Sequence, residues 1–447
     1  MKKISFCFII LFAITFYSCD EVLEVELDDE IRSTQAITDI ISLKSAVTGL
    51  YDMLQSGTYY GGEFILAQAL TGGIADATGF RERYAQLDNA RVPTSSAYTE
   101  SNWVDTYALV NASNLILEKI DVLGLEDLDS KGSALFFRAL GHFDALRQFG
   151  EFTDSNSEFG IPISTSFVDS KTASTISRST VALSYQQIVS DLKEAITLLN
   201  YDSDKFLVSK GAAEALLARV YLYQGNYALA EQLATSVINN SDYDLNSDYN
   251  DIYDEEGSLE AIFELQFLET DGNNLTALLS TSPPEISANF SDFFQPMDED
   301  GDPRSFKFYD SGNVVYVDKY GTLDSDLKGN AVILKLSEMY LVRSEARARR
   351  NPTNLSPAIE DLNTVRTRSL PTQPILVTDI NNFDAFVDVL LEERSRELAF
   401  EGHRWFDIVR LQRATTILGI EAFRAVYPIP QREIAISNGV IAQNPGY

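Results

Sequence analysis

The sequence predicts a mainly α-helical fold: antiparallel helix pairs of tetratricopeptide type, forming an α-α superhelix, scaffold a loop-rich remainder with a few short strands. Three observations predict it. In the first, Ile188, Leu192, Ala195, Ile196 and Leu199 recur at i, i+4, i+7, i+8 and i+11, which places them on one helical face. The second is the segment KGAAEALLARVYLYQGNYALAEQLATSVI, residues 210–238. There Leu217, Ala218 and Tyr221 line one helix, Gly225-Asn226 breaks it, and Tyr227, Ala230, Ala234 and Val237 line the next. Small residues let two antiparallel helices approach closely, and glycine supplies the turn. The third is a set of long irregular stretches, 71–99, 151–180, 241–260 and 271–329, rich in Gly, Ser, Asn, Asp and aromatic residues. Loops this long are uncommon unless they carry function or strands of their own.

The remaining elements follow in chain order. Lys2 and Lys3 precede an apolar run from Ile4 to Tyr17, and Ser18, Cys19, Asp20 and Glu21 follow. The run has fourteen positions, short of the roughly twenty that cross a hydrocarbon core. Basic residues, a short apolar block and a small residue make a secretory signal. A cysteine directly after the small residue resembles the acylation site of bacterial lipoproteins, although Phe16 stands where those signals usually have Leu. On this reading residues 1–18 are removed, Cys19 carries lipid, and 19–447 form one mature domain. A further helix is expected at 131–148, a looser copy of the helix pair at 336–368, and a long helix at 391–413. Short strands are expected at 261–267 and 314–317.

Composition narrows the function. The chain has 66 acidic and 35 basic residues and a net charge of −31, which becomes −33 once Lys2 and Lys3 are removed. Such a surface repels phosphate backbones, so nucleic acid is excluded as a partner. It equally disfavours attachment to anionic lipid through basic patches. Cys7 and Cys19 are the only cysteines; with one cleaved off and one acylated, packing alone has to hold the fold together.

The C-terminal third carries LSEMYLVRSEARAR (336–349), EERSRELAFEGHRWFDIVRL (392–411) and the ending Gln443-Asn444-Pro445-Gly446-Tyr447. These blocks, with Asp302-Pro303-Arg304, resemble the SusD/RagB family of outer-membrane nutrient-binding lipoproteins of Bacteroidetes. The resemblance implies four tetratricopeptide-like helix pairs, an anchor in the outer membrane, and a partner: a SusC-like TonB-dependent transporter on which the lipoprotein sits as a lid. The acidic residues after Cys19 are similar to signals for the outer face. No cofactor and no catalytic residue is implied.

His142 and His403 are the only histidines, so the paired-histidine zinc helix is impossible, and no G-x-S-x-G elbow accompanies either of them. Glu397 and Glu401 read as partners of Arg394, Arg404 or neighbouring helices, with Trp405 and Phe406 packing. The acidic run Asp298-Glu299-Asp300-Gly301-Asp302 lacks the Gly and Glu spacing of a calcium loop and reads as a turn; no metal is expected.

Sugar recognition needs flat aromatic faces with polar groups beside them. Trp103 and Trp405 both sit in packing motifs, which leaves Phe and Tyr. By regional similarity to the family, ligand contacts fall at Asp76, Phe80, Arg81, Arg83 and Tyr84, and at Asn289, Phe290, Phe293 and Phe294, with Tyr59 and Tyr60 as additions. Arg81, Arg83 and Arg91 could receive an anionic sugar such as a uronate, unless Glu82, Asp76 or Asp88 pairs with them. The expected function is capture of an oligosaccharide and delivery to the transporter. The alternatives are a peptide-binding member of the same family and a surface glycosidase, whose carboxylate pair sequence alone cannot single out.

Overall fold

Helices dominate because the chain buries small and aliphatic residues at helical spacing. The computed structural model describes residues 36–169, 175–254, 256–268, 274–280, 284–312, 314–321 and 329–447. The signal segment and Cys19 lie outside the described residues. In chain order the first elements are α1 (Ile40–Leu54), α2 (Glu63–Thr71), β1 (Ala75–Ala77), α3 (Glu82–Asp88), α4 (Ala97–Leu123) and α5 (Leu128–Phe149). Next come α6 (Val181–Leu198), α7 (Lys210–Gln224), α8 (Tyr227–Ile238), α9 (Asp251–Asp254), β2 (Ala261–Leu265) and α10 (Asn274–Ser280). Then follow β3 (Ile286–Ala288), α11 (Gln295–Glu299), β4 (Phe308–Asp310), β5 (Val315–Val317) and β6 (Ala331–Lys335). The chain closes with α12 (Leu336–Arg350), α13 (Ser356–Ser369), α14 (Phe383–Glu397), α15 (Arg404–Arg410), α16 (Ala414–Leu418) and α17 (Gln431–Ile436).

The helix pairs are where the spacing predicts them. Gly225 takes φ +80 between α7 and α8, the left-handed turn that glycine adopts without strain. Helix α7 is more enclosed than its stripe suggests, since every residue from Gly211 to Tyr223 is buried. Helix α5 is likewise buried from Gly132 to Phe149. Both run through the middle of the stack, with α4 and α6 packing on α5, and α6 and α8 on α7. Helix α8 then packs directly on α12, although residues 239–335 separate them. That segment is an insertion between two adjoining layers of the superhelix. Antiparallel pairing of β2 with β6 closes its neck; β2 and β5 fall where the sequence places strands, and β1, β3, β4 and β6 are additional. The predicted loop 71–99 holds β1, α3 and the start of α4, and 271–329 holds α10, β3, α11, β4 and β5.

One expectation is corrected. Residues 391–413 are not a single helix: α14 ends at Glu397, and α15 begins only at Arg404. Between them Phe400 takes φ +59 and Gly402 φ +81, so the chain turns sharply. A phenylalanine in the left-handed region is held there by its surroundings. The Tyr320 hydroxyl donates to the Phe400 carbonyl at 2.5 Å, and the Lys319 ammonium donates to the Ala399 carbonyl at 2.7 Å.

The charged residues of the REL and EGHRWFD blocks build a buried network. Arg304 is completely enclosed and donates to Glu393 at 2.6 Å, Glu397 at 3.2 Å and Asp302 at 2.7 Å. Glu397 also takes Arg368 at 2.6 Å, and Arg368 reaches Glu260 at 2.6 Å. One oxygen of Glu401 accepts from Lys319 at 2.5 Å and from Lys335 at 3.0 Å. The expected partners Arg394 and Arg404 are engaged elsewhere, Arg394 with Asp407 at 2.8 Å and Arg404 with Ser395 and the Gly72 carbonyl. The acidic run forms a turn in which Asp302 binds Arg304 and Asp300 binds Arg396. The ending also locks onto the body, with Asn444 donating to the carbonyls of Phe149 and Tyr427.

Two outcomes follow for stability. Arg304→Met strips three buried carboxylates of a shared cation, so urea unfolding should show a loss of roughly 3–5 kcal/mol; a loss below about 1 kcal/mol would contradict the network's role. Burial pushes the Lys319 ammonium from 10.5 down to about 7; Glu401 opposes the shift and the neighbouring Lys335 reinforces it. Between these values the unfolded chain holds a proton on Lys319 that the folded chain has released, so this contribution to stability is smallest below pH 7 and grows as pH rises. The stability of the wild type relative to Lys319→Met should therefore climb between pH 7 and 9, by at most about 1.4 kcal/mol per pH unit. A difference that stays flat over that range counts against the assignment.

Candidate ligand-binding face

The two loop regions singled out by sequence lie about two hundred positions apart, and a pair of short strands joins them. β1 pairs antiparallel with β3, with Asp76 opposite Ser287 and Ala75 opposite Ala288. β3 pairs with β5 through Ala288 and Val315, and β5 pairs with β4 through Tyr316 and Tyr309. The sheet order is therefore β1-β3-β5-β4. Side chains alternate along a strand, so Ala75, Ile286, Ala288, Val315, Val317 and Phe308 turn to the core, where all are buried. Asp76, Ser287, Tyr316 and Tyr309 share the opposite side. The rings of Tyr309 and Tyr316 stack 4.8 Å apart and 3° from parallel, and Tyr309 is 45% exposed.

The loops flanking the sheet are held by specific contacts. The Asn289 side chain donates to Asp76 at 2.8 Å and accepts from the Asp292 amide at 2.8 Å. The Thr78 and Gly79 amides both donate to the Glu285 carbonyl at 3.1 Å. A Cβ at Gly79 would stand 1.8 Å from a Glu285 carboxylate oxygen, so a larger residue here would have to displace the Glu285 side chain. Beyond it Phe80 is fully exposed, an apolar ring left entirely in solvent.

The predicted residues divide by burial. Asp76, Phe80, Arg81, Asn289 and Phe290 have solvent access. Tyr59, Tyr60 and Tyr84 do not: they are buried in the core. The Tyr59 and Tyr60 hydroxyls donate to Asp144 at 2.5 and 3.3 Å, and Tyr84 donates to Glu63 at 2.9 Å. Burial pushes the Tyr84 phenol up to about 12. Phe293 and Phe294 also turn inward, and the Phe293 ring packs on Phe308 and Phe400. The strained Phe400 turn thus props the face from below. Beneath it a cleft of about 320 Å³ is lined by Asp292, Phe293, Met297, Arg396 and Arg404, among others.

Arg81 and Arg83 are paired, though not with the acids expected. Arg83 binds the buried Glu63 at 2.7 Å, and Arg81 lies 3.5 Å from Glu285. Sequence reasoning missed Tyr309, Tyr316 and Glu285. Val314–Val317 was legible as a strand, but its antiparallel partner Phe308–Asp310, a few residues before it, was not. Neither histidine belongs to this face. Both are buried, and burial drives the His142 imidazole down to about 3 and that of His403 well below its usual range. Among the described residues no His, Cys, Asp and Glu group is arranged to hold a metal ion. The face offers aromatic planes, a carboxylate–amide pair and an exposed guanidinium, which are groups for recognition.

Comparison with known proteins bears on the family and the fold. Residues 21–222 match the profile of a SusD-like family described as starch-binding and associating with the outer membrane, and residues 294–421 match that of the SusD family proper. Two SusD-like proteins of Formosa agariphila are similar to the chain at 25% and 23% identity, each over 100% of this chain and 99–100% of the relative. A SusD superfamily crystal structure from Bacteroides thetaiotaomicron superposes with a TM-score of 0.81 at 26% identity, covering 91% of this chain and all of that one. A laminarin-binding SusD-like protein superposes at 0.75, with 21% identity, over 92% of this chain and all of its own. Together the two profiles span most of the chain and the structural likeness runs nearly end to end: the chain belongs to the SusD/RagB family.

Proposed function

We propose that this chain is a cell-surface lipoprotein that captures an oligosaccharide and delivers it to a SusC-like TonB-dependent transporter, closing over the barrel as its lid. The observation that supports the reading is that the β1–β3 pairing and the Asn289–Asp76 hydrogen bond join the two loop regions in one sheet, whose other two strands carry the stacked Tyr309–Tyr316 pair. Aromatic planes take up the apolar faces of sugar rings, while neighbouring polar groups fix the hydroxyls. The family's description and the laminarin-binding relative support a glycan as ligand. Among the described residues no helix is long and apolar enough to cross a membrane. Attachment is assigned to acyl chains on Cys19, since two or more chains make a stable anchor. The protein binds its ligand and makes or breaks no bond.

Affinity electrophoresis in gels containing laminarin or soluble starch tests the ligand class. Wild type should be retarded by at least one of the two, and the double variant Phe80→Ala, Tyr309→Ala should bind at least about tenfold more weakly, equivalent to about 1.4 kcal/mol. If neither glycan retards the protein and a peptide panel binds at the same residues, the ligand is a peptide; release of reducing ends abolished by one carboxylate substitution would make the chain a glycosidase. For the anchor, Cys19→Ala should move the protein from the outer-membrane fraction to the soluble fraction. Retention of that variant in the membrane would remove the lipid tether from the account.

A further inference from the structure

The outward side of the four-stranded sheet carries carboxylates beside β1, β3 and β5. Asp76 stands there on β1. Ala288 lies opposite Val315 in an antiparallel pair, so Glu285 and Asp318, three positions further along β3 and β5, come to the same end of the sheet. Alternation from the buried Ile286 and Val317 turns both outward, to the side of Tyr316 and Tyr309. The Asp318 charge reaches the aromatic pair: burial raises the Tyr309 phenol, and Tyr316 and Asp318 raise it further. At the edge of β1, Asp88 accepts from the Ala77 amide at 3.2 Å. Burial raises its carboxyl, that hydrogen bond opposes the shift, and Asp76 adds to it.

Among these carboxylates Glu285 is the one set against a guanidinium. Its backbone is fixed, since the Thr78 and Gly79 amides donate to its carbonyl at 3.1 Å and the Thr78 hydroxyl donates to the Pro284 carbonyl at 2.7 Å. Its side chain lies against Gly79, as the close approach there shows. From that position one carboxylate oxygen stands 3.5 Å from the Arg81 Nε. The other is enclosed, with no hydrogen-bond partner among the described residues. Arg81 is 49% exposed and Glu285 28%, so the pair borders solvent where a ligand arrives. The guanidinium also lies 5.8 Å from the centre of the Tyr84 ring. The neighbouring Arg83 is paired with the buried Glu63.

On the glycan-capture reading, on which this rests, we infer that Glu285 sets the specificity of the face: by neutralising Arg81 it makes the face select uncharged sugars and reject uronates and sulfated sugars. A guanidinium without a counter-charge receives a carboxylate or sulfate through paired, charge-assisted hydrogen bonds. With Glu285 in place, an incoming anion meets a guanidinium that already has its carboxylate. Asp76 and Asp318 on the same side add like-charge repulsion. Neutral hydroxyls meet no such repulsion, and carboxylate oxygens accept hydrogen bonds from them. Discrimination of this kind comes from what the site holds against the wrong ligand as much as from contacts to the right one.

Isothermal titration calorimetry on the full protein tests the assignment, with laminarin, soluble starch and polygalacturonate as probes at one ionic strength. Wild type should bind a neutral polymer more tightly than polygalacturonate. Glu285→Gln should raise affinity for polygalacturonate by at least about threefold, the scale of a single surface ion pair. The double variant Glu285→Gln, Arg81→Gln should cancel that gain. Glu285→Ala repeats the measurement should Glu285→Gln melt early. The role of Glu285 is overturned by no gain in either single variant, by a gain that survives loss of Arg81, or by a wild type that binds polygalacturonate as tightly as the neutral polymers. Failure of glycan capture itself is seen separately, as absence of neutral-polymer binding in wild type, whereas the role of Glu285 is read from the change between variants on polygalacturonate.

Discussion

The buried charge network around Arg304, Glu397 and Glu401 is the constraint on which the rest of the structure depends. It joins parts of the chain that no continuous backbone brings together. Glu260, Arg304, Lys319 and Lys335 come from the insertion and its edges, while Arg368, Glu393, Glu397 and Glu401 come from α13, α14 and the turn after them. Removing charges from water is costly, and the cost is met only when each has partners in good geometry. The insertion can therefore sit on the helical stack in one arrangement. Any shift would leave carboxylates or ammonium groups enclosed and unpaired.

That arrangement explains how a loop-borne face becomes rigid. Lys319 and Tyr320 lie two and three positions after β5 and are bonded to the Ala399–Glu401 turn. The same turn holds Phe400 in the left-handed region and presents its ring to Phe293 and Phe308. The two aromatic strands are clamped at one end and supported from beneath. A binding surface held this way loses little conformational freedom when a ligand arrives. The EGHRWFD block is thus structural in location and supports the proposed ligand face indirectly.

The superhelix contributes in a second way. Because α8 packs on α12 across the point where the insertion leaves and returns, the stack continues without a gap and its two layers form a fixed base. Stability in such stacks comes from nearest-neighbour contacts between repeats, so a long excursion between two helices is tolerated if its ends are closed. The β2–β6 pair closes them.

The helices, their pairing and the two short strands were legible because each depends on local periodicity: Ala230, Ala234 and Val237 mark a seam whatever else the chain does. The family was legible because its charged blocks are contiguous in sequence. The break at Phe400 was less so: Gly402 interrupts the run from Leu391 to Arg413, but the left-handed turn at Phe400 is held by distant hydrogen bonds from Lys319 and Tyr320. Nor could sequence separate Phe80, which is solvent-exposed, from Tyr59, Tyr60 and Tyr84, which anchor buried carboxylates; aromatic residues suit either place equally. The pairing of Asp76 with Asn289 came only from strands remote in sequence, whereas Tyr309 meets Tyr316 across two strands adjacent in the chain. Sequence by itself determined which segments are helical and that the loops between them matter. Tertiary structure decided which loop residues meet and which face water, because contact between distant segments is set by packing and charge satisfaction over the whole molecule.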